Sequence, residues 1–150
     1  MGRRGETWVV VQAILLLLFL LVPGVGPAWP YPDAFRIAGA VLGAVGILLL
    51  AWSALNLGRS LTPFPRPLPN GRLVTSGAYR FVRHPIYFAV LATCTGIALA
   101  TWSPLRLALC AALLVFFDRK ASREEGWLQE RYPGYATYRE RVSKLIPWIY

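Results

Sequence analysis

Residues 34–57 read AFRIAGAVLGAVGILLLAWSALNL, an apolar run of 24 residues that is broken only by Arg36 near its start and Asn56 near its end. About 20 consecutive apolar residues in a helix cross the hydrocarbon core of a bilayer, which is about 30 Å thick. The run therefore predicts a membrane-spanning helix. Its glycines at GxxxG spacing, Gly39 and Gly43, predict that another helix packs closely against it.

The rest of the chain is also too apolar for an ordinary soluble domain. Of its 150 residues, 56% are hydrophobic and only 15% are charged, whereas soluble domains carry about 25% charged residues. We expect residues 1–150 to form a single domain in a membrane. The 16 Lys and Arg residues outnumber the seven Asp and Glu residues, which gives a formal charge of +9. A charge of this sign is compatible with binding to nucleic acid, anionic lipid or an anionic ligand.

A first apolar run, residues 8–22, follows Arg3 and Arg4. Its 15 residues are few for a full span, and a basic start before an apolar stretch is also typical of a signal peptide. No clear small-x-small cleavage site follows the run. We therefore predict a first spanning helix rather than a cleaved leader.

Two further apolar runs, residues 86–102 and 105–117, are joined at Ser103 and Pro104 and predict a short helical hairpin. With the first two runs they predict an all-α integral membrane protein with about four transmembrane helices. Two of these spans lie within residues 1–57.

The remaining segments are a loop and a tail. Residues 58–84 are rich in Pro, Gly and Arg, contain no acidic residue and predict a long loop rather than a helix. Because loops of this length are usually functional, we expect this one to belong to a site. Residues 118–131 predict an amphipathic helix, which a break at residues 132–134 separates from a last helical turn or two before Pro147.

The basic residues are unevenly distributed across this arrangement. Four spans place 14 of the 16 on one side, and only Arg36 and Arg106 on the other. By the positive-inside rule, both termini, the loop and the tail are cytoplasmic, and the predicted location is a bacterial inner membrane. Attraction to anionic membrane lipid accounts for the positive charge, so no nucleic-acid partner is expected.

The only histidine lies at the predicted start of the third helix. Pro85 suits the first helical position, which makes His84 the N-cap residue and places Tyr87 in the first turn. Arg80 and Arg83 precede it, so free N–H groups and guanidinium groups could bind a carboxylate or phosphate. The alternative is that the arginines contact lipid headgroups while His84 only caps the helix.

Two adjacent carboxylates, Glu124 and Glu125, follow the fourth apolar run. Lys120 can pair with Glu124 at i, i+4. Glu125 then requires another cation, either a cationic ligand or an arginine of the loop.

The tail carries Tyr138, Arg139 and Arg141 among further aromatic residues. An interfacial aromatic belt is one interpretation. Aromatic faces also bind sulfonium or quaternary ammonium groups, and the arginines could bind an anionic substrate. We predict these three residues as substrate-binding.

Metal binding is not expected. The chain has one histidine, and its two cysteines, Cys94 and Cys110, lie inside apolar runs. This is too few ligands for a zinc site, and thiols in such runs usually pack as small apolar groups.

Two motifs in order around the hairpin, RHPxY at residues 83–87 and EExxL at residues 124–128, are followed by RVxxxIP at residues 141–147. Because of these motifs, the segment from about residue 59 to residue 150 resembles the isoprenylcysteine carboxyl methyltransferase and phospholipid methyltransferase superfamily of integral membrane enzymes.

The resemblance implies an S-adenosylmethionine-dependent methyltransferase that binds its cofactor at the cytoplasmic face. The implied cofactor-binding residues are Arg83, His84, Pro85, Tyr87, Glu124 and Glu125. Arg83 and His84 would bind the cofactor carboxylate, Glu124 or Glu125 its ammonium, and Tyr87 would contact adenine.

The resemblance leaves the methyl acceptor and the catalytic residue open. A lipophilic substrate from the bilayer would offer an isoprenylcysteine-like carboxylate or a phospholipid amine. A carboxylate needs no base, whereas an amine must lose a proton. His84, Glu125 and Arg141 are the catalytic candidates. The alternative function is a non-enzymatic membrane protein, a transporter-like or scaffold subunit that oligomerises through the Gly39 and Gly43 face.

Overall fold

The computed structural model describes residues 4–23, 26–27 and 29–150. These residues contain five α-helices and two short 3₁₀ helices, with no strand beyond one isolated bridge between Val82 and Ser143. The α-helices are α1 (Glu6–Leu21), α2 (Pro32–Leu57), α3 (Pro85–Ala100), α4 (Pro104–Arg131) and α5 (Tyr135–Arg141). The predicted all-α class is confirmed. Arg3, counted among the cytoplasmic basic residues, lies outside the described residues.

Proline begins three of the helices, where its missing N–H and fixed φ are compatible with the first turn. Pro85 starts α3 with His84 at the N-cap, as predicted, although the His84 side chain makes no capping hydrogen bond. Pro104 starts α4, and the Ser103 hydroxyl accepts a hydrogen bond from the Arg106 amide at 3.3 Å. The tight hairpin of α3 and α4 is therefore confirmed.

The prediction of a separate amphipathic helix after the fourth apolar run is wrong. α4 continues from Pro104 to Arg131 as one helix of 28 residues. The change from apolar to charged residues at Asp118 alters the surroundings of the helix. Residues 118–131 contain no proline, and Arg, Lys, Ala and Glu are strong helix formers, so the helix continues. The predicted break is present at residues 132–134, before the short α5.

Close contact between α2 and α3 depends on glycine. A Cβ atom placed on Gly96 of α3 would lie 2.4 Å from the backbone nitrogen of Gly43 and 2.6 Å from the carbonyl oxygen of Gly39. The two backbones therefore touch, as the GxxxG spacing predicted. Because α3 of the same chain covers this face, the face is not available for oligomerisation.

The α1 helix packs mainly against α4 of the hairpin. Its Phe19 is 1% exposed and joins a core with Leu113 and Phe117 of α4. By contrast, large apolar side chains remain exposed on α1 and α2, such as Leu20, Leu21, Leu48 and Leu55. Such surfaces suit lipid better than water.

One helix among the described residues is long and apolar enough to cross a membrane by itself. This is Pro32–Ser60, which comprises α2 and the following 3₁₀ helix, with a mean hydropathy of 2.2. α1 and α3 are apolar but have 16 residues each, which corresponds to about 24 Å. The structure thus supports one clear span, and the other three stay predictions.

The predicted loop, residues 58–84, is irregular except for 3₁₀ helices at Gly58–Ser60 and Gly77–Arg80. It is held to the end of α2, because the Ala78 amide donates to Oδ1 of Asn56 at 2.8 Å. Its last residues pair with the tail, where the Arg83 amide donates to the Ser143 carbonyl at 2.8 Å. The loop, the start of α3 and the tail therefore meet at one end of the helices.

Candidate active site

The residues of the RHPxY and EExxL motifs lie together where α3 begins beside the charged half of α4. Arg83 Nε is 2.7 Å from Glu125 Oε1, and His84 Nε2 is 3.2 Å from the same oxygen. The Tyr87 hydroxyl donates to Glu124 Oε2 at 2.6 Å. Adjacent positions on a helix point about 100° apart, which lets the two carboxylates contact different partners.

Glu125 is enclosed by cations of the chain itself. Burial opposes its ionisation, but hydrogen bonds from His84 and Arg83 lower the pKa of Glu125 to about 2. Arg139 Nε adds a longer contact of 3.7 Å to Oε2. Of the two explanations for Glu125, the structure therefore favours an arginine of the loop over a cationic ligand.

Arg83 also fastens the tail. One of its terminal nitrogens, Nη1, donates to the carbonyl oxygens of Arg139, at 2.9 Å, and of Val142. Its other terminal nitrogen, Nη2, forms no hydrogen bond within the described chain. Arg83 is thus mainly a structural cross-link, with one donor group left for a ligand.

The predicted ion pair between Lys120 and Glu124 is not formed within 4 Å. Lys120 is only 2% exposed, and its Nζ binds Gln12 Oε1 of α1 at 2.5 Å and the Pro63 carbonyl at 3.4 Å. Glu124 is instead held by Tyr87. The i, i+4 spacing permits the pair, but contacts from α1 and the loop direct Lys120 elsewhere.

The ring of Tyr87 is packed by side chains of the protein. It stacks with His84 at a centroid distance of 5.3 Å and with Phe117 at 4.8 Å. Lys120 Nζ lies 5.1 Å from the same ring centroid. Tyr87 lines the lysine cavity, but most of its ring surface is covered by these side chains, and its hydroxyl reaches the site through Glu124.

Two adjoining cavities flank this polar cluster. The first, the aromatic cavity, lies under the proline-rich loop and is lined by Phe64, Leu68, Tyr132, Tyr135 and Tyr138, among others. The second, the lysine cavity, has a volume of about 350 Å³ and is lined by Gln12, Leu61, Ile86, His84 and Lys120, among others. Both cavities share Leu57, Thr62, Tyr79, Arg83 and Glu124. Ligand pockets have volumes of about 300 Å³ or more, so the lysine cavity is large enough for a small ligand, whereas the aromatic cavity, at about 80 Å³, holds only part of one.

Tyr135 is the most unusual residue of the aromatic cavity. It is 1% exposed, and its hydroxyl has no hydrogen-bond partner in the described chain. Burial also raises the pKa of Tyr135, so the hydroxyl stays protonated. A hydroxyl that is buried without a hydrogen-bond partner destabilises the folded protein. A polar atom of a ligand would supply the missing partner.

Of the three predicted substrate-binding residues, the structure brings two to cavities. Tyr138 lines the aromatic cavity and donates its hydroxyl to the Tyr79 carbonyl at 2.5 Å. Arg139, whose side chain is 53% exposed, lines a further cavity of about 420 Å³ with Arg83 and Glu125. Arg141 is exposed at the end of α5, makes no hydrogen bond or ion pair with the described residues, and lines none of these cavities.

Sequence reasoning did not assign Gln12, Lys120 or Tyr135 to a site. Gln12 did carry a signal, since it is the only polar residue in the run of residues 8–22. A polar residue inside such a run is costly and often functional. No comparable signal marked Tyr135, because several tyrosines near a membrane surface are expected on other grounds.

Comparison with known proteins assigns a chemistry to this geometry. A family model described as phospholipid methyltransferase matches residues 34–134. A probable protein-S-isoprenylcysteine O-methyltransferase of Oryza sativa subsp. indica is 26% identical over 161 residues, which cover 99% of this chain and 84% of the relative. Protein-S-isoprenylcysteine O-methyltransferase B of Arabidopsis thaliana is 26% identical over 144 residues, with coverage of 93% and 70%. The cobalt-zinc-cadmium resistance protein CzcN of Cupriavidus metallidurans is 31% identical over 149 residues, with coverage of 97% and 63%.

Proposed function

Because this chain belongs to the phospholipid methyltransferase family and is thus a methyltransferase, we propose that it uses S-adenosylmethionine to methylate a lipophilic acceptor at a membrane surface. Membership of an enzyme family makes the non-enzymatic scaffold the weaker interpretation. The remaining question is whether the residues present fit the methyl donor.

One observation carries the proposal: two incompletely satisfied polar groups face the aromatic cavity. The Tyr135 hydroxyl has no partner in the described chain. Glu124 is 25% exposed and receives a hydrogen bond from Tyr87 on Oε2, while no described donor reaches its Oε1. A ligand with a cationic amine and several polar atoms would supply the missing hydrogen-bond partners of both groups.

The side chains of the aromatic cavity, and of the part that it shares with the lysine cavity, match the parts of S-adenosylmethionine. Glu124 suits the ammonium group better than Glu125, whose Oε1 is already in contact with Arg83 and His84. Nη2 of Arg83 remains for the carboxylate. The adenine wall is reassigned from Tyr87 to the loop and tail, where Phe64 and Tyr132 line the aromatic cavity.

When bound, S-adenosylmethionine supplies a methyl group on a positively charged sulfur. A carboxylate oxygen or an amine nitrogen of the acceptor would bond to the methyl carbon and displace the sulfur. The protein then has mainly to hold the reactants in line and to exclude water. Glu125 is a poor general base, because its pKa of about 2 makes it a weak proton acceptor near neutral pH. His84, which lines the lysine cavity, remains the candidate base if the acceptor is an amine.

The membrane arrangement belongs to the same proposal. We place α1, α2, α3 and the apolar half of α4 in the bilayer, with both termini in the cytoplasm of a bacterium. The concentration of basic residues in the loop and tail supports this orientation. A lipophilic acceptor would then reach the site from the lipid phase.

The test is calorimetric titration of S-adenosylmethionine into the purified protein in an uncharged detergent. We expect binding, competition by S-adenosylhomocysteine, and a loss of at least about tenfold in affinity, or about 1.4 kcal/mol, for Glu124→Gln. Glu130→Gln, an exposed position of the same helix, is the matched control and should bind as the wild type does. Absence of binding to folded wild-type protein would refute the proposal. The acceptor is identified by the lipid or peptide that takes up a labelled methyl group in membranes.

A further inference from the structure

A separate cavity of about 280 Å³, the arginine cavity, adjoins the aromatic cavity at the proline-rich loop. Arg4, Arg66 and Arg131 line it, and none of the described residues that line it is acidic. Glu6 accepts a hydrogen bond from the Arg4 amide at 3.2 Å but does not line the cavity. Because like charges around one cavity repel each other, an anion bound between them would be favourable.

Packing of the backbone holds two of these arginines in place. Arg131, the last residue of α4, donates a hydrogen bond from Nη2 to the Pro69 carbonyl of the loop. Arg4 is followed by Gly5, whose backbone touches the loop, because a Cβ atom on Gly5 would lie 2.7 Å from Cγ of Pro65. The start of α1, the loop and the end of α4 therefore meet at the cavity, and each contributes one arginine to its lining.

The length of α4 places this cavity at the level of lipid headgroups. Its 28 residues correspond to about 42 Å, and a bilayer with its headgroup layers is about 40–45 Å thick. An upright α4 that has Pro104 at the opposite surface has Arg131 among the cytoplasmic headgroups. Arg4 lies at the same level, because α1 runs antiparallel to α4. At the other ends of these two helices, Nη2 of Arg106 donates to the Val22 carbonyl at 2.9 Å.

Phosphate groups are the anions of the headgroup layer. A guanidinium group can bind a phosphate through two parallel hydrogen bonds. Phe64 and Leu68 line the same cavity, so apolar surface for the body of a lipid lies beside the arginines. Basic pockets of this kind on the cytoplasmic side of membrane proteins bind anionic headgroups.

We propose that the arginine cavity binds the phosphate group of an anionic membrane lipid that is not the methyl acceptor. This inference goes beyond the proposed methyl transfer and shares only its membrane arrangement. Arg83, His84 and Glu124 of the candidate active site do not line the arginine cavity, so a lipid bound there is separate from the reacting groups. Four loop residues line both this cavity and the aromatic cavity, namely Thr62, Phe64, Pro67 and Leu68. The bound lipid thus fastens the part of the loop that borders the site of the methyl donor.

The experiment compares two lipids with the same acyl chains: phosphatidylglycerol, and diacylglycerol, which has no phosphate. Neither lipid carries an amine or a carboxylate, so neither resembles the proposed acceptors. Binding of each to the full-length protein in an uncharged detergent is measured by calorimetry without S-adenosylmethionine. We expect the wild type to prefer phosphatidylglycerol by at least about tenfold, which corresponds to about 1.4 kcal/mol. The double variant Arg4→Gln/Arg131→Gln should reduce this preference to within about twofold.

The double variant Arg59→Gln/Arg119→Gln is the matched control, because it removes two positive charges from exposed positions outside the cavity. It should retain the wild-type preference. Arg4→Gln alone leaves the hydrogen bond of Arg131 to the loop intact, and it should reduce the preference by at least about threefold. Equal affinities of the two lipids for the wild type, or equal preferences in the two double variants, would overturn the inference.

A second measurement uses stability. Because a ligand stabilises the folded state that it binds, phosphatidylglycerol should raise the unfolding temperature of the wild type and of the control more than that of Arg4→Gln/Arg131→Gln. Displacement of phosphatidylglycerol by inorganic phosphate at equal concentration would assign the cavity to a soluble anion and overturn the lipid assignment. If the wild type prefers phosphatidylglycerol as expected but binds no S-adenosylmethionine, the proposed function fails and this inference stands.

Discussion

Arg83 and Glu125 are 42 residues apart in sequence, yet Nε and Oε1 meet at 2.7 Å in a pair whose side chains are 9% and 6% exposed. Arg83 also binds two carbonyl oxygens of the tail. One guanidinium group therefore joins the loop, α4 and the tail. The position of Glu124 beside the cavities depends on this junction, since Glu124 is the neighbour of Glu125 on α4.

Removing one partner of this pair should destabilise the protein strongly. Arg83→Met leaves the Glu125 carboxylate buried without its main cation, and loss of one member of a buried pair costs about 3–5 kcal/mol. We expect a decrease of this size in the free energy of unfolding, measured by reversible denaturation in mixed micelles. Arg139→Met is the control: its side chain is 53% exposed and 3.7 Å from Glu125, so a change of at most about 1 kcal/mol is expected. Similar effects of the two variants would contradict the assigned roles.

The same pair predicts a dependence of stability on pH. The pKa of Glu125 is lowered from 4.5 to about 2 in the folded protein, because hydrogen bonds from His84 and Arg83 outweigh the effect of burial. The folded state therefore holds the ionised form more tightly than the unfolded state does. This contribution to stability is complete above pH 4.5 and is lost as the pH falls towards 2.

The measurement is the unfolding temperature of the wild type and of Glu125→Gln between pH 7 and the acid limit of the detergent. The difference between the two proteins should be constant near neutral pH and should shrink below about pH 4.5. Subtracting the variant removes the contribution of other carboxylates such as Asp118, whose pKa is also lowered because Lys144 outweighs the effect of burial. A difference that does not change with pH would show that Glu125 titrates normally.

The contact between α2 and α3 predicts that glycine positions differ sharply in tolerance. In Gly96→Ala the new methyl group would lie 2.4 Å from the backbone nitrogen of Gly43, so the helices must separate. Overpacking of this kind costs about 1–3 kcal/mol. At Gly126 of α4 no atom lies within 4 Å of an added Cβ, so Gly126→Ala should be neutral or stabilise the protein by up to about 1 kcal/mol. Unfolding titrations of both variants test this contrast, and equal stabilities would refute it.

Local sequence patterns were sufficient where one short-range effect decides the structure. The start of α3 followed from Pro85, and the contact of α2 with α3 followed from glycine spacing, because each depends on a few adjacent residues. The two motifs also predicted that Arg83, His84, Tyr87, Glu124 and Glu125 belong to one region.

The partners of Lys120 and Tyr87 depend on long-range contacts, which local patterns do not show. Lys120 had a partner at the correct helical spacing, but Gln12, 108 residues away, binds it instead. Tyr87 carried an aromatic ring suitable for a ligand, but Phe117 and His84 pack against that ring. Spacing shows which contacts are possible. It does not show which of several competing partners is nearest once the helices have packed.

Substitution of Tyr135, whose hydroxyl has no partner in the described chain, distinguishes a binding role from a structural role most clearly. Tyr135→Phe removes a buried group that has no partner in the described chain, so the free energy of unfolding should stay the same or increase. If the hydroxyl binds S-adenosylmethionine, the same change should weaken binding by about 0.5–1.5 kcal/mol, or about two- to tenfold. The neighbouring Tyr138→Phe loses an intramolecular hydrogen bond to Tyr79 and should therefore lower stability by a similar amount. Calorimetry and unfolding titrations on both variants distinguish the cases, because a stable Tyr135→Phe protein with unaltered affinity would exclude this hydroxyl from the binding site.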